Sequence, residues 1–247
     1  MFRAAVLDAI GQRAVRLRDD VTVVGPGPDE VRIQVNAAGI CHSDLSTMDG
    51  TIGQPLPAVL GHEGAGVVAE VGSAVTDLAV DDHVIIAWIP PCGACSVCLG
   101  GQPHLCTVHV KEAARRPRFR VGGVAAFGMS GCGTWAAQVI VPRPGAVRID
   151  PDIPHDIAAV AGCAVVTGVG AVINTAKVEP GSTVVVIGCG GVGISVIQAA
   201  RMAGAAVILA VDPVPAKHER APLRSHRRRP ASRTGDGGGR PRRPQGL

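Results

Sequence analysis

The sequence has almost no aromatic side chains: 2% of 247 residues, with no tyrosine. Its interior must therefore be built from Val, Ile, Leu and Ala, a composition suited to buried sheets joined by glycine-rich turns. No leader segment is expected either. The start, MFRAAVLDAI, offers only Ala4 to Leu7 as an apolar run before Asp8, whereas a signal peptide needs ~7 to 15 such residues. A cytoplasmic protein is expected, and in that compartment disulfides are rare. Long uninterrupted apolar runs are equally scarce. The windows Ile157 to Ala176 and Pro180 to Ala200 carry no charge and reach the ~20 residues of a membrane span. Both are broken by glycines and polar groups, among them Gly162, Asn174, Gly188 and Gln198, so buried strand and helix are expected rather than a membrane partner.

What is present suggests two cores, since 247 residues suit roughly two domains of about 100 to 150 residues. Residues 1–153 show short β-type runs (Val31 to Val35, Gly66 to Val71, His83 to Ala87, Ala137 to Val141) between Gly, Pro and Asp turns, the pattern of a small barrel or sandwich. From Pro154 the pattern changes to helix, then strand Thr183 to Ile187, a glycine turn, helix Val192 to Ala203 and strand Val207 to Val211. Such alternation predicts a parallel sheet with crossover helices over 154–217. Residues 218–247 differ again, with nine arginines against two acidic residues, while the whole chain is +4. With two leucines and no other large apolar side chain, this tail is expected to be disordered. It lacks aromatics for stacking on bases, so no specific nucleic-acid partner is expected.

Four of the eight cysteines, Cys92, Cys95, Cys98 and Cys106, fall in a Cx2Cx2Cx7C pattern. Such spacing lets one loop wrap four thiolates around a single ion, and a zinc with all four positions filled by protein is structural. A zinc ribbon would set its CxxC pairs ~15 to 20 residues apart. A ferredoxin-type run would end Cx3CP, whereas here the last gap is seven and Thr107 follows.

The turn VVVIGCGGVG places Gly188, Gly190 and Gly193 in a GxGxxG directly after a strand and opening a helix. Asp212 closes the next strand nineteen residues after Gly193, near the ~20 expected of a ribose-binding acid in a dinucleotide fold. That carboxylate would accept from the ribose hydroxyls and repel a 2′-phosphate, favouring NAD over NADP.

Cys41 in GICHSDL, His62 in GHEGAG and Cys163 in GCAVVTG each read, taken singly, as core residues. Together with the four-cysteine loop and VVVIGCGGVG, in this order, they resemble the zinc-dependent alcohol dehydrogenases of the medium-chain dehydrogenase/reductase superfamily over residues 1 to about 217. The resemblance implies an α/β fold with a β-barrel: an N-terminal GroES-like catalytic domain (1–153) followed by a partial Rossmann NAD-binding domain (154–217). It implies a catalytic zinc held by Cys41, His62 and Cys163, with a position open to the substrate oxygen, besides the structural zinc. It further implies hydride transfer between an alcohol/aldehyde pair and NAD. Ser43 would carry the alcohol proton away, Asp44 would orient His62, and Glu63 would be the acidic group beside the metal. The cofactor would meet His42, Thr167, Gly188, Gly190, Gly191, Val192, Gly193 and Asp212. Ser46 stands where many relatives carry a histidine, and Trp88, Phe119 and Trp135 are candidates for the pocket wall.

A dinucleotide fold needs about six strands, and two precede the tail. The sequence therefore reads as a truncated or frameshifted dehydrogenase, with a noncatalytic zinc-binding fragment as the alternative; a homo-oligomer is compatible with either.

Overall fold

The computed structural model describes residues 1–12 and 14–220. The chain forms two compact units, Met1–Thr167 and a second from Gly168 onward. The first unit contains β1 (Phe2–Leu7), β2 (Arg16–Val23), β3 (Glu30–Ala38), α1 (His42–Met48), β4 (Ala58–Val59), β5 (Gly64–Val71) and β6 (His83–Ile86). After these come α2 (Ser96–Leu99), α3 (Thr107–Arg115), β7 (Phe119–Val121), β8 (Val124–Gly128), β9 (Gln138–Pro142) and β10 (Ala146–Arg148). A closed barrel runs β1-β2-β7-β8-β4, and a five-stranded sheet runs β10-β6-β5-β3-β9.

Small aliphatic side chains fill the space between them. Val6, Val31, Ile33, Val68 and Ile86 are buried, with Phe119 their one fully buried aromatic companion. Phe119 is thus a core residue and not a pocket wall. One charged cluster is also buried at the barrel. Glu30, 1% exposed, accepts from the Gly27 N–H at 2.8 Å, from Arg116 Nη1 at 2.8 Å and from the buried Arg118. Paired this way, a buried carboxylate is tolerated because each lone pair meets a donor.

The long helix His155–Thr175 begins in the first unit, where Ala158 and Ala159 pack on Ala65 and Ile85. This docking of the first turns explains why the division falls at Thr167, inside the helix, and not at residue 153. The helix is long and apolar enough to cross a membrane by length and composition. It is also irregular, with π-type turns at Ala161–Val165 and Ala171–Thr175.

In the second unit β11 (Thr183–Ile187) and β12 (Val207–Val211) pair in parallel, Thr183 opposite Val207 through Ile187 opposite Val211. The helix Gly191–Met202 crosses between them, burying Ile197, Ala199 and Ala200 on Val186 and Ile208. Thus Pro180 to Ala200 resolves into strand, turn and helix. A short helix, Pro215–Arg220, follows. Among the described residues this sheet has two strands. The tail reading for 218–247 lies, from residue 221 on, outside the described residues.

Candidate metal centres

The four-cysteine loop folds as its spacing predicts. The sulfurs of Cys92, Cys95, Cys98 and Cys106 all lie within 4.8 Å of one another. Cys92 Sγ and Cys98 Sγ are 3.9 Å apart, well beyond the ~2.05 Å of a disulfide, and all eight cysteines are free. Backbone N–H groups turn inward: Cys95 N–H donates to Cys92 Sγ at 3.3 Å, and Cys92 N–H to Cys106 Sγ at 3.3 Å. Such donors favour thiolate. The backbone at Cys98 draws the Cys95 thiol down to about 6, while burial and neighbouring sulfurs push Cys98 up to about 11. Four adjacent sulfurs share their charge unevenly until a cation balances them, and tetrahedral zinc is the ion that four thiolates suit.

The second cluster is assembled from distant stretches. Ligand atoms of Cys41, His62, Glu63 and Cys163 all lie within 4.8 Å of one another. Cys41 is the N-cap of α1 in extended conformation (φ −116°, ψ 157°), in a capping box closed by Asp44. His62 and Glu63 sit just before β5, both nearly fully buried. Cys163 is held in the first π-type turn of the long helix, a local widening that is frequent at functional sites. Gly162 before it has no room for a side chain: a Cβ would stand 2.5 Å from the Ile86 carbonyl oxygen. The helix therefore rests directly on the β6 backbone.

Asp44 braces two of these donors. Its Oδ2 accepts from Cys41 N–H at 2.8 Å and its Oδ1 from Gly61 N–H at 3.1 Å. The same Oδ1 lies 3.5 Å from His62 Nδ1, an ion-pair distance that falls short of a hydrogen bond. With Nδ1 turned to Asp44, the other ring nitrogen is left for the cluster, the arrangement by which a carboxylate fixes a metal-binding imidazole. Burial opposes charge on His62, but Asp44 and Cys163 outweigh it and hold the imidazole up at about 10. Burial likewise pushes Cys41 up, yet Ser43 and His62 bring its thiol below the ordinary value. Glu63 is raised, chiefly by burial. Two thiols, an imidazole and a carboxylate packed this closely, three of the four residues buried, fit a divalent zinc-like ion.

Around this cluster Ser43 Oγ lies 3.7 Å from Cys41 Sγ, and Ser46 Oγ lies 3.3 Å from His42 Nδ1. Trp88 stands edge-on to His62, ring centroids 5.9 Å apart at 71°, while the Trp135 indole N–H donates to the Gly39 carbonyl. Trp88 was a candidate for the pocket wall, but no local sequence signal pointed to His62 as its neighbour.

In the second unit Gly188 has φ +97°, and a Cβ on Gly193 would lie 1.8 Å from the Gly188 carbonyl oxygen. That turn can therefore close only around glycine. Gly190 caps the helix that Gly191, Val192 and Gly193 open. Asp212 is buried, accepting from Cys189 N–H at 2.8 Å, Val214 N–H at 2.9 Å and Lys217 Nζ at 3.3 Å. The Cys189 N–H in particular holds its carboxyl below the usual range. This acid braces the glycine turn, which a sequence spacing alone did not reveal. His42 and Thr167 belong to the first unit.

Two ion-sized donor clusters on one β-rich unit, followed by a strand and glycine turn, define the architecture of a medium-chain zinc dehydrogenase. Residues 27–152 match the alcohol dehydrogenase GroES-like domain, and the chain belongs to that family. It is 40% identical over 210 residues to alcohol dehydrogenase B of Mycobacterium tuberculosis, covering 82% of this chain and 56% of that protein. It is 39% identical over 227 residues to S-(hydroxymethyl)glutathione dehydrogenase of Synechocystis, covering 89% and 61%. Among solved structures, benzyl alcohol dehydrogenase of Acinetobacter calcoaceticus aligns with TM-score 0.81 at 35% identity, over 89% of this chain and 60% of that one. An alcohol dehydrogenase zinc-binding domain protein of Burkholderia ambifaria aligns with TM-score 0.82 at 36% identity over the same shares. The chain thus spans about 60% of the length of these relatives.

Proposed function

We propose that this chain carries the catalytic half of an NAD-linked, two-zinc alcohol dehydrogenase of the cytoplasm, acting on a small alcohol/aldehyde pair. The observation that carries the reading is the meeting of Cys41, His62 and Cys163, far apart in sequence, within 4.8 Å of one another. A core has little other use for two thiols and a buried imidazole braced by a carboxylate.

Cys41, His62 and Cys163 would hold the catalytic zinc, with Glu63 as a nearby fourth donor, and the four-cysteine loop would hold the structural one. Zinc in the first cluster would supply Lewis-acid polarisation of the alcohol oxygen. NAD, held by the Gly188–Gly193 turn with Asp212, would supply the hydride acceptor. The chain's own residues do the positioning and the proton work. Ser43 would relay the alcohol's hydroxyl proton, accepting it on Oγ as its own hydroxyl proton passes to solvent, a role supported by the 3.7 Å separation of Oγ from Cys41 Sγ. Asp44 keeps His62 turned toward the metal and fixes the Cys41 backbone, and Trp88 keeps water from one flank of the imidazole.

The second reading, a noncatalytic zinc-binding fragment, is favoured by one fact: the sheet of the second unit has two strands among the described residues. Metal analysis with NADH fluorescence titration separates the two. Two zincs per chain with saturable NADH binding supports the enzyme; one tightly held zinc without cofactor binding supports the fragment.

A further inference from the structure

We infer that His109 is a positioning residue that ties the four-cysteine loop to the wall of the second metal cluster, so that filling of the loop by an ion sets the placement of Trp88 beside His62. The inference rests on the zinc reading above. Cys106 Sγ accepts the N–H of Cys92 at 3.3 Å and the N–H of His109 at 3.5 Å, so one sulfur gathers both ends of the loop. On the entering side, only Ile89, Pro90 and Pro91 separate Trp88 from Cys92, and consecutive prolines leave that stretch little freedom. On the leaving side, the buried ring of His109 has Nε2 3.1 Å from the Ser130 carbonyl oxygen, and His109 and Trp88 line the same cleft.

The segment it grips is itself constrained. Ser130 has φ +52°, a left-handed conformation that a serine keeps only when its surroundings hold it. The neighbouring Gly131 lies so close that a Cβ there would meet Ala113 Cβ at 3.2 Å and His109 Cε1 at 3.4 Å. Two clefts of about 290 and 220 Å³ share His109 and Ala113 as common wall, and Trp88 with Met129 lines the smaller. His109 thus joins the Cys106 sulfur to the Met129–Gly131 turn through one peptide and one side chain, beside the cleft that Trp88 lines.

The test uses the full chain with Cys163→Ser, which removes a donor from the second cluster and leaves the four-cysteine loop as the strong zinc site. Trp135→Phe in the same chain makes Trp88 the sole tryptophan, since the sequence has two. Zinc titration is expected to shift Trp88 emission. The shift should vanish with His109→Ala and shrink with His109→Gln, whose amide can still reach the Ser130 carbonyl but fills less of the shared wall. With Cys163 and Trp135 intact, Cys98→Ser should lower cobalt(II) affinity of the second cluster by about tenfold, the scale on which outer-shell partners act, and His109→Ala should remove that dependence. No zinc-linked shift in the parent, or a full shift in a natively folded His109→Ala chain, overturns the inference. Should His109→Ala fail to fold, a full-sized shift in His109→Gln overturns it equally. A second cluster that takes up no cobalt defeats the proposed function instead, and the Trp88 readout, which needs only the loop, still decides this one.

Discussion

Gly162→Ala sets two effects of known size against each other. In the interior of a helix, alanine is better than glycine by about 1 kcal/mol, so propensity alone predicts a more stable chain. Against that, the new Cβ would stand 2.5 Å from the Ile86 carbonyl oxygen and 3.4 Å from Ile85 Cγ2. β6 cannot yield easily, because it is paired on both sides, with β5 and with β10. The helix must therefore retreat by at least 0.5 Å to restore 3.0 Å from 2.5 Å. Overpacking of this kind costs about 1–3 kcal/mol, so a net loss of about 1 kcal/mol is expected after the helix gain. The functional effect is larger than the stability effect. Cys163 adjoins the displaced residue, and metal–ligand distances tolerate only about 0.2 Å. Metal affinity of the Cys41/His62/Cys163 cluster should fall by about 10- to 100-fold, with the four-cysteine loop unaffected. Cobalt(II) titration followed in the visible spectrum, beside urea unfolding, reads both quantities. A variant that is more stable and loads both sites fully would refute the claim that the π-type turn is seated on β6.

Asp44→Asn keeps the shape but puts an amide N–H against donors, and should weaken second-cluster metal binding by about tenfold as measured by chelator competition; unchanged affinity removes Asp44 from the site. Glu30→Gln leaves Arg118 buried with its charge uncompensated, and urea unfolding at neutral pH should show a loss of about 3 kcal/mol. Burial pushes Glu30 up, but the Gly27 N–H and Arg118 outweigh it and hold its carboxyl low. Its stabilisation is therefore complete above the unfolded value of about 4.3 and lost as pH falls through the lower folded value. The acid limb of the stability profile should accordingly be shallower in the variant, and an identical limb would show that the triad contributes nothing. In Gly193→Ala the Cβ would lie 1.8 Å from the Gly188 carbonyl oxygen, so the turn must open. NADH fluorescence titration should then detect no binding while both zincs remain, and equal binding would rule out this turn as the cofactor site.

What the sequence revealed depended on how local the cause was. Strands Thr183–Ile187 and Val207–Val211 appear with the bounds their apolar runs suggest, although among the described residues Val186 and Ile208 are buried while Val185 and Ile187 are exposed. The barrel strands β4, β7 and β10, of two or three residues each, are too short to show a period of two. They exist because neighbouring strands pair with them. The four-cysteine loop was legible from spacing, while the Cys41, His62 and Cys163 set was legible only through resemblance, since no local pattern links them. The Glu30–Arg116 pair, 86 residues apart, the Trp88 edge on His62 and the seat of Gly162 on Ile86 had no local sequence signal. Each is a contact between elements, fixed by packing.

The same difference in range separates the two metal clusters physically. In the loop all four donors come from residues 92–106, so an ion can gather them from a chain that is otherwise loose, and binding contributes to local folding. The other cluster draws on a helix N-cap, the segment before β5 and a π-type turn, and none of these can converge before the barrel and sheet have formed. Its ion-binding geometry is consequently a product of the core, already complete in the chain through Asp44, Ile86 and Gly162. Weakening the core should therefore empty the Cys41/His62/Cys163 cluster first, whereas the loop should release its ion only when its own thiols are lost.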